Sequence, residues 1–149
     1  MGRSYEELCR AFRWRLPETL NLGVDVCERQ PRDAAAILVT DGRAITRMVT
    51  FGELADDSNR LANALRGLGV GFGDRVGIVL PQRPETAVAH IAAAKLGAIA
   101  VPLSVLLGPD GLASRLRDAD VRLVLGEAEP LERVAGLGLD VPVLDVIGA

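Results

Sequence analysis

Histidine occurs once in these 149 residues, lysine once and cysteine twice. The single histidine, His90, excludes a His-rich metal site, and Cys9 and Cys27 form neither a CxxC pair nor part of a ligand cluster. A chain of this length buries about 70% of its unfolded surface on folding and needs no covalent staple. Both thiols are therefore expected as plain buried or half-buried side chains in a reducing compartment. Aromatic residues are scarce too: three Phe, one Tyr and one Trp. The 17 basic residues against 20 acidic ones form no block that could track a phosphate backbone, which argues against nucleic-acid binding. All the basic residues but Lys95 are arginine, a bias that reads as genomic. The N-terminal residues include Glu6 and Glu7 where an export signal needs an apolar run. The one membrane-like stretch, 87–108, is interrupted by His90, Lys95 and Pro102 and reads as a buried helix followed by a buried strand. The expectation is a cytoplasmic protein without a membrane span.

The composition that remains, 49% hydrophobic and 25% charged, is that of an ordinary globular domain. Tyr5, Phe12 and Trp14 sit in an N-terminal arm, after which Leu20, Val24 and Cys27 recur at helical spacing. Asn21 suits the N-cap of that short helix, and Pro31 stops it. Two β-prone runs, 36–40 and 44–49, flank Asp41-Gly42, which predicts a hairpin with a type I′ turn. Thr50-x-x-Glu53 is a capping box opening a helix with Leu54, Leu61, Leu65 and Leu68 on one face, closed by Gly67 and Gly69.

Beyond it, short apolar strands alternate with helices. Strands are predicted at 76–80, 98–101, 121–125 and 141–146. Helices are predicted from Pro84 to Leu96 (Val88, Ile91, Ala92 and Leu96 inward), from Pro109 to Ala119 (Leu112 and Leu116 inward) and, weakly, over 130–137. This alternation implies an α/β fold: a parallel sheet with both faces covered, in three layers. The expected organisation is an arm with a short helix over 1–34, then the hairpin and layered α/β subdomain over 35–149.

Residues that invite a chemical reading mostly have a plainer one. The run Gly67-x-Gly69-x-Gly71-x-Gly73 leaves a helix and enters a strand, whereas a dinucleotide-binding loop does the reverse, so it reads as a helix C-cap and turn. Lys95 lacks the preceding GxxxxG of a phosphate-binding loop. His90 stands on an apolar helix with no acid or nucleophile beside it in sequence and reads as structural. Ser58, Ser104 and Ser114 lack a G-x-S-x-G elbow, and Glu127, Glu129 and Glu132 read as a solvated helix start. No catalytic, cofactor-binding or metal-ligating residue is assigned.

One ordered series is more specific than its parts: Thr50…Glu53-Leu54, Asn59-Arg60-Leu61-Ala62, Leu65…Leu68-Gly69-Val70, Gly73-Asp74-Arg75-Val76, Pro81…Pro84-Glu85 and Ala94-Lys95-Leu96-Gly97-Ala98…Val101-Pro102-Leu103. It resembles the N-terminal portion of the adenylate-forming (AMP-binding) superfamily. Upstream, Phe12-x-Trp14-x-x-Pro17-Glu18-x-x-Asn21 and Asp25-Val26-Cys27-Glu28-Arg29 are most similar to acyl-CoA synthetases of medium-chain and acetyl type. The resemblance covers nearly the whole chain and weakens after Gly126.

The resemblance implies a two-step reaction in a full-length parent. A carboxylate, such as a small carboxylic or fatty acid, attacks the α-phosphate of Mg-ATP to give an acyl-adenylate and pyrophosphate; the thiol of CoA then displaces AMP. The family's Ser/Thr/Gly-rich loop, its Tyr-Gly-x-Thr-Glu segment and its C-terminal-domain lysine have no counterpart here. The expectation is thus an N-terminal fragment, scaffold for a larger domain, which binds no ATP, Mg or CoA itself, is inactive alone and self-associates through uncovered apolar surface. Where some medium-chain members place a Gln near CoA, this chain has Leu106, which cannot make that hydrogen bond. The alternatives are a fragment of an amino-acid or aryl-acid adenylation domain and a non-catalytic α/β interaction module.

Overall fold

The computed structural model describes residues 4–15 and 17–147. Its first helix, α1 (Tyr5–Ala11), is one the spacing rules did not flag. Ser4 and Glu7 cap it reciprocally: Ser4 Oγ accepts from the Glu7 N–H at 3.2 Å, and Glu7 Oε2 accepts from the Ser4 N–H at 2.9 Å. None of its residues is buried, so Cys9 is exposed and only Cys27 matches the expectation of a buried thiol. The predicted short helix is a π-helical turn, Val24–Glu28, with Asn21 Oδ1 accepting from the Val24 N–H as a cap should.

Strands β1 (Ala35–Thr40) and β2 (Ile45–Thr50) form the antiparallel hairpin. Its turn lies one residue later than the Asp-Gly signal implies. Asp41 and Ala44 flank the turn, the Asp41 N–H donating to Ala44 O, and Gly42 alone of the central residues has positive φ (89°). The cause is the Asp41 carboxylate, which accepts from the N–H groups of both Arg43 and Ala44 and so serves as a flank. Glycine at the first central position is the type II′ arrangement.

Thr50 and Glu53 make the predicted capping box, opening α2 (Phe51–Gly67). Leu54 and Leu65 are buried and Leu61 half-buried, but Leu68 falls at the C-cap and turns outward. The helix ends in a Schellman motif: Gly69 N–H reaches Arg66 O, Val70 N–H reaches Leu65 O, and Gly69 takes φ 84°.

Then follow β3 (Arg75–Val79), α3 (Pro84–Lys95), β4 (Ile99–Pro102), α4 (Pro109–Asp118), β5 (Leu123–Gly126), α5 (Ala128–Ala135) and β6 (Val143–Asp145). The four strands are parallel in the order β4-β3-β5-β6. Strand alternation sorts the core into two layers. Val76, Ile78, Leu123 and Leu125 pack with α2 and α3, while Val79 and Val124 pack with Leu112 and Leu116 of α4 and Leu131 and Val134 of α5.

The expectation of uniformly buried strands fails at the sheet's edges. In β4, Ile99 and Pro102 are exposed; in β6, Val143 is exposed and the strand has only three residues. An edge strand has one neighbour, and β4 blunts its free edge with Pro102, which has no N–H to offer.

Candidate functional site

The strand order places a change of direction between β3 and β5: the chain leaves β3 for β4 on one side and later enters β5 on the other. In open α/β sheets the crevice at the carboxyl ends of two such strands is where ligands most often sit. Here that crevice holds Arg83, at the N-cap of α3, and Glu127, at the N-cap of α5. Arg83 donates from Nε to Glu85 Oε2 at 2.8 Å and from its terminal nitrogen to Glu127 Oε2 at 3.1 Å. Hydrogen bonding to Glu85 holds the guanidinium above its ordinary value, against burial. For Glu85, burial pushes the carboxyl up, but its own backbone N–H and Arg83 outweigh that and hold it below the ordinary value. One cation between two carboxylates leaves no surplus positive charge, so the crevice is a poor trap for an anion. Glu127 is accordingly half-buried and paired, a correction to its reading as a solvated helix start; Glu129 and Glu132 are exposed as expected.

Beside the crevice, a cleft of about 700 Å³ separates β1 from the first turns of α3. Ile37 to Thr40 form one wall and Thr86, Ala87, His90 and Ile91 the other. His90 is half-buried there and makes no hydrogen bond among the described residues, and no carboxylate lines the cleft to orient its ring. A general base would need such a partner or a nucleophile within reach.

The densest polar cluster surrounds Lys95, a residue that sequence reasoning passed over. Its side chain is 7% exposed, and its ammonium bonds Glu28 Oε1 at 2.7 Å, Asn59 Oδ1 at 2.8 Å and Ala55 O at 3.3 Å. Three acceptors match the three donors of an ammonium, which a planar guanidinium would not satisfy in the same space. Asn21 Nδ2 donates to the Lys95 carbonyl at 2.9 Å, and Gly23 lies so close that a Cβ there would come within 2.6 Å of Lys95 Cγ and 2.8 Å of Ile91 O. The cluster thus joins the π-helical turn, α2 and α3. The Lys95 hydrogen bond, opposed by partial burial, holds Glu28 below its ordinary value. The signal in the sequence was the coincidence of the sole lysine with matched Asn21, Glu28 and Asn59.

The hydroxyls are engaged or remote: Ser58, fully buried, donates to Leu54 O at 2.6 Å, Ser104 Oγ accepts from the Leu106 N–H, and Ser114 is exposed on α4. Among the described residues no helix is long and apolar enough to cross a membrane.

The model of the AMP-binding enzyme family matches residues 24–147. The chain belongs to that family. An acetyl-coenzyme A synthetase of Novosphingobium aromaticivorans is 38% identical over 133 residues, covering 86% of this chain and 20% of the relative. The anthranilate CoA ligase AuaEII, solved with anthranoyl-AMP, superposes with a TM-score of 0.78 at 31% identity over 89% of this chain and 26% of its own. An acyl-CoA synthetase of Brucella canis superposes with a TM-score of 0.83 at 23% identity, covering 97% of this chain and 29% of its own, and shares the fold. The chain spans about a fifth of the length of the curated relatives it matches, 18–22%.

Membership in an AMP-binding family raises the question of phosphate and metal ligands. The amides of the glycine run are engaged internally: Gly69 with Arg66 O, Gly71 with Asp74 Oδ2, Gly73 with Gly97 O. Among the described residues no group of three or more His, Cys, Asp or Glu could hold a metal ion. The described residues do not fit a nucleotide phosphate or Mg²⁺, and no step is derived through either. Leu106 is 90% exposed at the tip of the loop after β4, which Arg133 pins by donating to Val105 O at 2.8 Å and Leu107 O at 3.0 Å.

Proposed function

We propose that this chain is the opening part of the N-terminal domain of an AMP-forming acyl-CoA synthetase, and that the residues described here are its scaffold. The observation that carries the reading is the family match over 24–147 combined with relatives about five times as long. The full-length enzyme would convert a small carboxylic or fatty acid, ATP and CoA into acyl-CoA, AMP and pyrophosphate through an acyl-adenylate, using Mg²⁺, in the cytoplasm. Within this chain we divide an arm, 1–34, from the hairpin and layered subdomain, 35–149, and assign no catalytic, cofactor-binding or metal-ligating residue. Adenylation at a phosphorus centre needs charge neutralisation by preorganised donors, a metal and a cation, and the engaged amides and paired Arg83 supply none of these.

Pyrophosphate exchange into ATP in the presence of acetate, medium-chain acids or aryl acids tests this directly. The purified 149-residue chain should give none, and the polypeptide extended to the length of its relatives should exchange with one acid class. Enzyme-like exchange by the short chain overturns the scaffold reading. Preference of the long one for aryl or amino acids moves it to the second reading, which AuaEII supports as a relative at 31% identity. We further propose that the 149-residue chain self-associates, because Tyr5, Leu8, Phe12, Trp14, Leu38, Ile45 and Met48 are all exposed.

A further inference from the structure

We infer that the segment 20–30 is a latched strap: it swings off α2 and α3 as a unit while the sheet stays folded, with the Lys95–Glu28 pair as its latch and Cys27 as its peg. The thiol of Cys27 becomes accessible each time the strap opens.

Few groups hold this segment down. Of the described residues from 4 to 48, Gly23 and Cys27 alone are buried. Among the described residues no backbone hydrogen bond joins 20–30 to another element. The π-helical turn has five residues, too few to persist unpacked. α1 buries none of its residues and so adds nothing that resists opening. The chain is fastened again just beyond the strap. Arg32 O accepts from the Gly52 N–H at 2.8 Å, and Ala34 O accepts from the Phe51 N–H at 3.0 Å. The hinge therefore falls at 29–31, between Glu28 and the first carbonyl bound to α2.

The attachments are of a kind that water can replace. Cys27, 1% exposed, packs among Leu54, Ala55 and Ile91, while its thiol donates to Gly23 O at 3.2 Å within the strap itself. So small a side chain removes little apolar surface from water, and withdrawing it costs little. Asn21, whose Nδ2 donates to Lys95 O at 2.9 Å, exchanges one neutral hydrogen bond for another with solvent. Lys95 stays with the body. Asn59 Oδ1 and Ala55 O of α2 hold two of its three donors, and the third goes to Glu28. When the strap leaves, water takes that third donor, and the Glu28 side chain is already 37% exposed. Opening thus strands no buried charge, unlike the breaking of a fully buried pair. Such an opening lies below global unfolding in free energy.

The test is labelling of Cys27 by excess iodoacetamide in the Cys9→Ser chain, since Cys9 is exposed and would react at once. Rates are read across urea concentrations below the global transition seen by circular dichroism. Cys27 should react far faster than global unfolding permits, with a urea slope under about a third of the global one, because the slope follows the surface exposed. Glu28→Gln should speed labelling about fivefold. Gly23→Ala should speed it about tenfold, because the added Cβ meets Ile91 O, a backbone atom, at 2.8 Å. Val134→Ala, buried in the opposite layer of the core, should lower global stability yet leave the labelling rate in water unchanged. A urea slope equal to the global one, with Val134→Ala speeding labelling as it weakens the fold, overturns the strap. A shallow slope that Glu28→Gln leaves unchanged overturns the latch. Labelling at the rate of a free thiol means that the segment is not docked and overturns both.

Discussion

Two helices in this chain begin with the same device and end in opposite circumstances. Ser4-x-x-Glu7 opens α1 and Thr50-x-x-Glu53 opens α2, with matching reciprocal hydrogen bonds. α2 continues for 17 residues, buries Leu54, Ala55, Ser58, Ala62 and Leu65, and carries the sheet on one face. α1 stops after 7 and buries nothing. A cap satisfies orphan N–H groups wherever it occurs, but the stability of the helix behind it comes from the face it packs.

The largest effect expected from this contrast is in the core. Leu65→Ala should lower unfolding free energy by about 3 kcal/mol or more, as a fully buried leucine leaves a cavity. Leu8→Ala on α1 should leave the urea midpoint of the dilute monomer where it was. Equal losses in the two variants would mean that α1 is docked on the body after all.

Next in size is the cluster that docks the following segment. Lys95→Met keeps the aliphatic stem but strands Glu28, Asn59 and Ala55 O, and should destabilise by about 2 kcal/mol, less than a fully buried pair because Glu28 is partly solvated. Since Glu28 is held below its ordinary value of 4.5, the stability it contributes is fully present above that pH and is lost as pH falls through the lower, folded value. The gap between wild type and Lys95→Met should therefore narrow in acid denaturation series below about pH 4.5. A gap that widens in acid would remove Glu28 from the account.

The smallest effect compares the caps themselves. Thr50→Ala should cost about 1 kcal/mol in global unfolding, whereas Ser4→Ala should change only the exchange rate of amides in α1.

Elements whose signals lie within a few residues of one another were legible. The Thr50 box, the Gly69 terminus and the alternation of short apolar strands with helices all lie where the spacing places them. The same box at Ser4 went unread because no apolar run of useful length follows it. The hairpin was legible but its turn was one residue out, since the Asp41 side chain competed for the Arg43 and Ala44 amides. Ile99 and Pro102 were apolar enough to read as interior, yet edge position is a property of the sheet and not of the strand. The polar groups at the strand ends were the least legible: Arg83 and Glu127 are 44 positions apart and look like unrelated surface charges until β3 and β5 are paired.

Sequence alone determined the alternation of helices and strands beyond the N-terminal arm, the capped start and glycine end of α2, and the family to which the ordered series from Thr50 to Leu103 belongs. These depend on hydrogen bonds and side-chain periodicities spanning at most a few turns. Only the tertiary structure decided what each face meets. It turned Lys95 from a compositional oddity into the joint between the π-helical turn, α2 and α3, with Asn59 lying 36 positions away and Ala55 40. It also left α1 capped but uncovered. Burial is set by whichever distant segments arrive, and a local pattern prepares a face for burial without supplying the surface that covers it.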